Sequence, residues 1–143
     1  MKKLVAVLGT ALAVAFSSAA MSGVCTKEKL EGRYVISGTI NEDNWNHSEA
    51  GIYRIFLNKN GRGKVIAWAE TLNGFIESDQ VHWPIEWDVA EDCTGNIFIA
   101  NGVGGIYGLF AASGSTNAPV LNGVARNPRS LKAGPWRAER VDF

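Results

Sequence analysis

The chain is short of the residues from which most catalytic centres are built. It has two histidines and two cysteines in 143 residues. His47 and His82 lie far apart, and no carboxylate spacing around either supplies the further ligands a metal needs, so no metal site and no cofactor are expected. A serine triad would have to recruit one of those two histidines, and no Gly-x-Ser-x-Gly elbow is present to hold its nucleophile. The cysteines lack the C-x-x-C spacing of a redox motif. Charge of one sign is also missing: 14 Lys and Arg balance 14 Asp and Glu. The basic residues are scattered rather than gathered in a stripe, which argues against nucleic acid as a partner. No low-complexity run, linker or internal repeat divides the chain. Nor does any stretch beyond the N-terminus carry helical periodicity.

What is present begins with Met1-Lys2-Lys3, the apolar run Leu4 to Phe16 and the small residues Ser17-Ser18-Ala19-Ala20. That is the three-part layout of a secretory signal peptide, residues 1-20, with export to the periplasm or beyond as its consequence. The apolar run is shorter than the roughly 20 residues of a membrane helix. The remainder of the chain, 21-143, is about the size of one domain with one core. In an exported chain, Cys25 and Cys93 are most simply a disulfide. Lipidation of Cys25 is disfavoured because Val24 stands where Gly or Ala is normally required.

The central stretch runs from Val81 to Ile99. Val81, Trp83, Ile85, Trp87 and Val89 fall at every second position, which puts them on one face of a strand, with His82, Pro84, Glu86 and Asp88 on the other. Pro84 removes a ladder donor, so an outward-facing position or a bulge is expected beside it. Asp92-Cys93-Thr94-Gly95 reads as a tight turn, with Gly available for a positive φ. Asn96 to Ala100 starts the return. Upstream, Glu31 to Ile40 reads as a strand. Ile52 to Leu57 and Lys64 to Glu70 flank the Asn60-Gly61 hairpin signal, and the second of these has no clean face. Asn41 to Ala50 is a polar loop around Trp45, and Thr71 to Gln80 is a connection with a turn at Asn73-Gly74. Downstream, Ile106 to Ala112, Ala118 to Arg126 and Pro135 to Val141 supply the remaining strands. Short strands with turn signals about every ten residues describe an all-β fold, a single antiparallel β-barrel of about eight short strands with one disulfide. A membrane barrel would need an outward apolar band along every strand, so membrane insertion is not expected.

At Trp87-Asp88-Val89-Ala90-Glu91-Asp92-Cys93-Thr94-Gly95 the chain is similar to small secreted bacterial proteins with an aromatic-x-Val-x-x-Asp-Cys-Thr-Gly turn. These resemble the allene oxide cyclase-like barrels and, more distantly, the calycin barrels of lipocalin and avidin type. Gly32-Arg33-Tyr34 lacks the Trp of the lipocalin Gly-x-Trp signature, and Trp87 stands where Tyr is usual. The resemblance implies a barrel with a pocket at its mouth or axis and transfers no catalytic residue.

An eight-stranded barrel is just wide enough either to be filled by its own side chains or to hold one small ligand. Tyr34, Trp68, Trp83, Trp87 and Tyr107 are the candidate ligand-lining aromatics. The leading expectation is therefore a non-enzymatic exported barrel that binds a small apolar or amphipathic molecule. The alternative is a cyclase or isomerase acting on a polyene or oxidised lipid, with Glu86 or Glu70 as an inward carboxylate whose pKa desolvation would raise. A third class is a protein-binding or inhibitor module that acts through the Asn41 to Ala50 loop. If Trp83 and Trp87 face inward, Glu86 and Asp88 face out.

Overall fold

The structure is a computed structural model that describes residues 21, 23–41, 48–72, 75–102, 104–127 and 132–141. The signal-peptide reading of 1–20 and the loop residues Trp45 and His47 lie outside the described residues. Among the described residues, nine strands come after one short helix: α1 (Lys27–Leu30), β1 (Gly32–Asn41), β2 (Ser48–Leu57), β3 (Arg62–Leu72), β4 (Phe75–Asp79), β5 (Trp83–Val89), β6 (Thr94–Ile99), β7 (Ile106–Ser115), β8 (Ala118–Asn127) and β9 (Lys132–Arg140). Every pairing is antiparallel, and β9 returns to β1, so the sheet closes into an eight-stranded barrel with one extra strand. That extra strand is β4. It pairs with β3 over Trp68–Leu72, while β5 pairs with β3 over Arg62–Val65, so the two lie end to end along one neighbour. Val81 N–H bridges the break by donating to Ile66 O at 3.3 Å.

This arrangement replaces the connection expected over Thr71 to Gln80 with a strand, and it accounts for Pro84. The proline stands just past the interruption at 80–82, opposite Lys64, and its carbonyl accepts from Ala100 N–H at 3.0 Å. A second irregularity explains why the third strand has no clean face. The β2–β3 register shifts between Arg54 and Ile55, so that Ile55 faces Val65 while Tyr53 faces Trp68. A bulge resets which residues point inward, and no period-2 count across it can succeed.

One end of the barrel is closed by α1. Four residues are too few to show periodicity, but the Thr26 side chain caps the helix by accepting from Lys29 N–H at 3.3 Å. Leu30 is completely buried beneath it, and the Tyr34 hydroxyl donates to Leu30 O at 2.7 Å. Burial pushes the Tyr34 phenol above its ordinary value, against an opposing pull from Arg140, so it remains a neutral donor. The Cys25–Cys93 disulfide, Cα atoms 5.0 Å apart, fastens this plug to the β5–β6 turn. Cys25 N–H donates to Glu91 O at 3.1 Å beside it, and Lys27 pairs with Asp88 at 2.9 Å.

The β5–β6 turn differs from expectation in one respect. The residue with positive φ is Cys93, at 69°, not Gly95. Asp92 holds that conformation by accepting from Thr94 N–H at 2.9 Å and Thr94 Oγ1 at 2.6 Å. Gly95 serves close packing instead, since a Cβ there would collide with the Phe110 ring and Asp88 O.

Replacing both cysteines by serine opens a loop of 68 residues. It should lower the unfolding free energy by about 4 kcal/mol in the chain-entropy model, read from urea unfolding monitored by tryptophan fluorescence. A loss below about 1 kcal/mol would show that the plug holds without its fastening. Hydrogen bonds from Thr94 hold the Asp92 carboxyl below its usual value of 3.8. Its contribution is therefore present at neutral pH and is lost as pH falls through the depressed native value. Asp92→Asn should flatten the acid limb of the stability profile below about pH 4 without changing its shape near neutrality.

Candidate functional site

The alternation that fills the barrel also leaves it incompletely filled. At the plugged end the inward positions carry bulk: Leu30, Tyr34, Leu57, Trp87 and Phe110 are all buried. Toward the other end the walls turn to glycine and alanine, with Gly38, Gly51, Gly108, Ala125 and Gly134 among the lining residues of a cavity of about 60 Å³. Its larger walls are Ile36, Tyr53, Ile97, Ile99, Ile106 and Trp136, and its surface is almost wholly apolar. No charged residue is among the described lining residues. A site of this size exceeds the ~10–15 Å³ that one water needs and falls short of the ~150 Å³ that admits benzene. It is therefore a seat for a small group, or for one end of a slender molecule.

One seam of the wall has an interrupted ladder. Between β1 and β9 the register pairs Gly38 with Trp136 and next pairs Asn41 with Ala133, leaving Thr39 and Ile40 without partners across that seam. Opposite them stand Gly134 and Pro135, both of which stay paired to β8. Proline has no N–H to offer a ladder. Gly38, Thr39, Gly134 and Pro135 all line the cavity, so the break in the ladder and the edge of the cavity coincide.

Trp136 is the largest side chain in this wall. It packs edge to face with Phe110, ring centres 6.1 Å apart at 66°. Its indole lies on a floor of glycines, within 3.3 Å of where a Cβ of Gly108 would stand and within 2.7 Å for Gly123.

The five aromatics expected to line a pocket are not brought together here, and none is a lining residue of this cavity. Tyr34 and Trp87 lie toward the plug, where Trp87 Nε1 donates to Asn58 O at 3.0 Å and Arg62 O at 3.2 Å. Trp68 and Trp83 stack at 6.2 Å, partly buried against the core. Tyr107 is on the outer wall against Phe98, ring centres 4.5 Å apart, beside exposed Leu109 and Val124. Among the candidate carboxylates, Glu86 is outside, its side chain 69% exposed and 3.9 Å from Arg62. Asp88 is outside as well, held below its usual value by Lys27. Glu70 pairs through its backbone with Gly51 and Glu77, and its side chain lies outside the described residues. His82 is exposed. Among the described residues no group of three His, Cys, Asp or Glu could hold a metal.

Sequence reasoning therefore passed over Trp136, Tyr53, Ile36, Ile97 and Ile99. Tyr53, Ile55 and Leu57 do alternate, as do Trp136 and Ala138, so the inward face was readable. What could not be read was which inward residues share a level, because that depends on register.

No protein-family model matches the chain, and no curated protein matches it. Among solved structures it is similar to an S-type phycobiliprotein lyase from Guillardia theta, 8% identical over 82% of this chain and 90% of that one, with a TM-score of 0.46.

The glycine floor has a measurable consequence. A Cβ at Gly123 would strike Leu109 O and the Trp136 indole, and the backbone partner cannot yield. Gly123→Ala should cost about 1–3 kcal/mol of stability by overpacking and shift the tryptophan emission. An unchanged urea midpoint would show that the indole is not seated on this floor.

Proposed function

We propose that this chain is an exported β-barrel that holds a small apolar or amphipathic molecule in the cavity walled by Ile36, Tyr53, Ile97, Ile99 and Trp136. The observation that carries this reading is the apolar cavity that the inward side chains leave between Ile36, Tyr53, Ile97, Ile99 and Trp136. An apolar concavity lined by a few convergent residues is the usual form of a small-molecule site. Export is supported by the Cys25–Cys93 pair, since such bonds persist in oxidising compartments, and by the signal-peptide pattern of 1-20. No helix among the described residues is long and apolar enough to cross a membrane. On the strands, most apolar side chains face inward, while Arg33, Arg54, Lys64, Glu86 and Arg137 face out. That polarity is the reverse of a membrane barrel.

Of the two carboxylates considered for the cyclase or isomerase alternative, Glu86 stands on the outer wall beside Arg62, which removes it as an inward group, and the side chain of Glu70 lies outside the described residues. The likeness of the turn at Cys93 to small secreted bacterial proteins that resemble allene oxide cyclase-like and, more distantly, calycin barrels fits the same reading, since it implies a barrel with a pocket at its mouth or axis.

Native mass spectrometry of the mature protein purified from its own host, before and after organic extraction, tests this directly. The expected result is an extractable adduct of low mass that is lost in Ile99→Trp, a change that fills the cavity. An apoprotein mass throughout, with no fluorescence response to short ketones, fatty acids or terpenoids, would sink the reading and move attention to a protein partner.

A further inference from the structure

Three of the five large hydrophobic side chains that the described residues expose stand together on the outer wall: Tyr107 is 54% exposed, Leu109 65% and Val124 58%. Apolar side chains scattered singly over a surface are ordinary, whereas a contiguous patch marks a contact site. These are contiguous. Leu109 pairs with Val124 across β7 and β8, and the Tyr107 ring lies on Phe98 of β6 with centres 4.5 Å apart. A shallow, mostly apolar hollow of about 710 Å³ is lined by both pairs. Charge is withdrawn from the same face, since Arg126 is the only charged residue in β6, β7 and β8. Exposed aromatic and aliphatic side chains with charge depleted around them are the composition of an interface core.

The strand register specifies what such a face fits. Glu86, Phe98, Tyr107 and Arg126 are successive cross-strand partners on β5, β6, β7 and β8, and they form one row across the outer wall. From either end the row runs charge, ring, ring, charge, with opposite signs at its two ends. A two-fold axis parallel to the strands, between β6 and β7, lays this row on its own copy so that ring pair meets ring pair and Arg126 meets the partner's Glu86 on both sides. Both charged groups are open to such a contact. Arg126 is exposed and makes no ion pair among the described residues. Glu86 is 3.9 Å from Arg62, too far for a hydrogen bond. A contact between identical subunits requires this kind of self-complementarity, residue i on j and j on i. A lipid surface would call for a cationic rim, and this rim has one charge of each sign. We propose that the outer face of β6, β7 and β8 is the contact between two copies of this chain, with Phe98, Tyr107, Leu109 and Val124 at its centre and Arg126–Glu86 pairs at its rim. The face is on the outside of the barrel wall, so the proposal is independent of the ligand-binding reading.

Sedimentation equilibrium of the full mature protein over a series of concentrations tests this. The wild type should pass from the monomer mass to twice that mass as concentration rises. Leu109→Lys puts a charge at the centre of the contact and should weaken dimerisation at least about tenfold. Arg126→Glu and Glu86→Arg each set like charges against one another across the contact and should each weaken it by about tenfold. The double variant restores opposite signs and should return to within about threefold of the wild type. All three positions are exposed, so these changes leave the core of the barrel untouched. A monomer at every concentration overturns the proposal; if the wild type then binds the apolar dye bis-ANS and Leu109→Lys does not, the face belongs to a different partner. A dimer indifferent to Leu109→Lys overturns the choice of face. A double variant no stronger than either single variant overturns the alignment of the row on its copy.

Discussion

Everything in this barrel is arranged around the closure of its plugged end, and that closure depends on the Cys25–Cys93 bond. A helix of four residues has no stability of its own, because nucleation fixes more dihedrals than so few hydrogen bonds repay. Tied to the β5–β6 turn, it becomes a lid that brings Leu30 to complete burial and gives Tyr34 an acceptor for its hydroxyl. The same turn holds Cys93 at a φ of 69°, which a non-glycine residue keeps only when its surroundings hold it there. Asp92 does so through Thr94, and the disulfide does so from the other side. Turn, covalent bond and plug are one device, and the heavy packing of Leu57, Trp87 and Phe110 toward that end is its consequence.

Side-chain size then falls along the axis of the barrel. Where the plug excludes water, inward positions are large. Where the strands run away from it, glycine and alanine take over, and Trp136 lies across the vacated floor rather than standing upright in it. The indole gains burial and an edge-to-face contact with Phe110. The cost is an N–H without an acceptor among the described residues, about 1–3 kcal/mol for a typical buried group. A core selected for stability alone would place a phenyl or leucyl group at that position and avoid the penalty. The cavity is thus what remains beside a large ring laid on glycines.

How much of this was legible in the sequence depends on whether a feature is local. The all-β class, the closed antiparallel barrel, the disulfide and the Asn60-Gly61 hairpin are written in alternation, cysteine count and turn chemistry, each within reach of a short window. The inward faces of Tyr34 and Ile36, and of Trp83 to Val89, are equally plain. Three things were hidden because they are set by register between strands distant in sequence. The bulge between Arg54 and Ile55 transfers the inward face of β3 from Val65 to Trp68, so its mixed pattern looked like partial burial on both sides. The break before Pro84 made β4 look like a loop. The glycines at 38, 108 and 123 read as weak points of three separate strands, and only closure stacks them beneath one indole.

Aromatic count was correspondingly a poor guide to the cavity. A tryptophan that satisfies its own N–H, as Trp87 does with Asn58 and Arg62, has nothing left to offer a ligand except a surface. A tyrosine such as Tyr107, on the outer wall with Phe98, belongs to a different face of the molecule. The informative pattern was the converse one, an aromatic residue opposite residues with no side chain. Gly38 and Gly123 both pair with Trp136, one from each neighbouring strand. Two glycines flanking a tryptophan at the same level of a barrel let its ring lie close against the neighbouring strands.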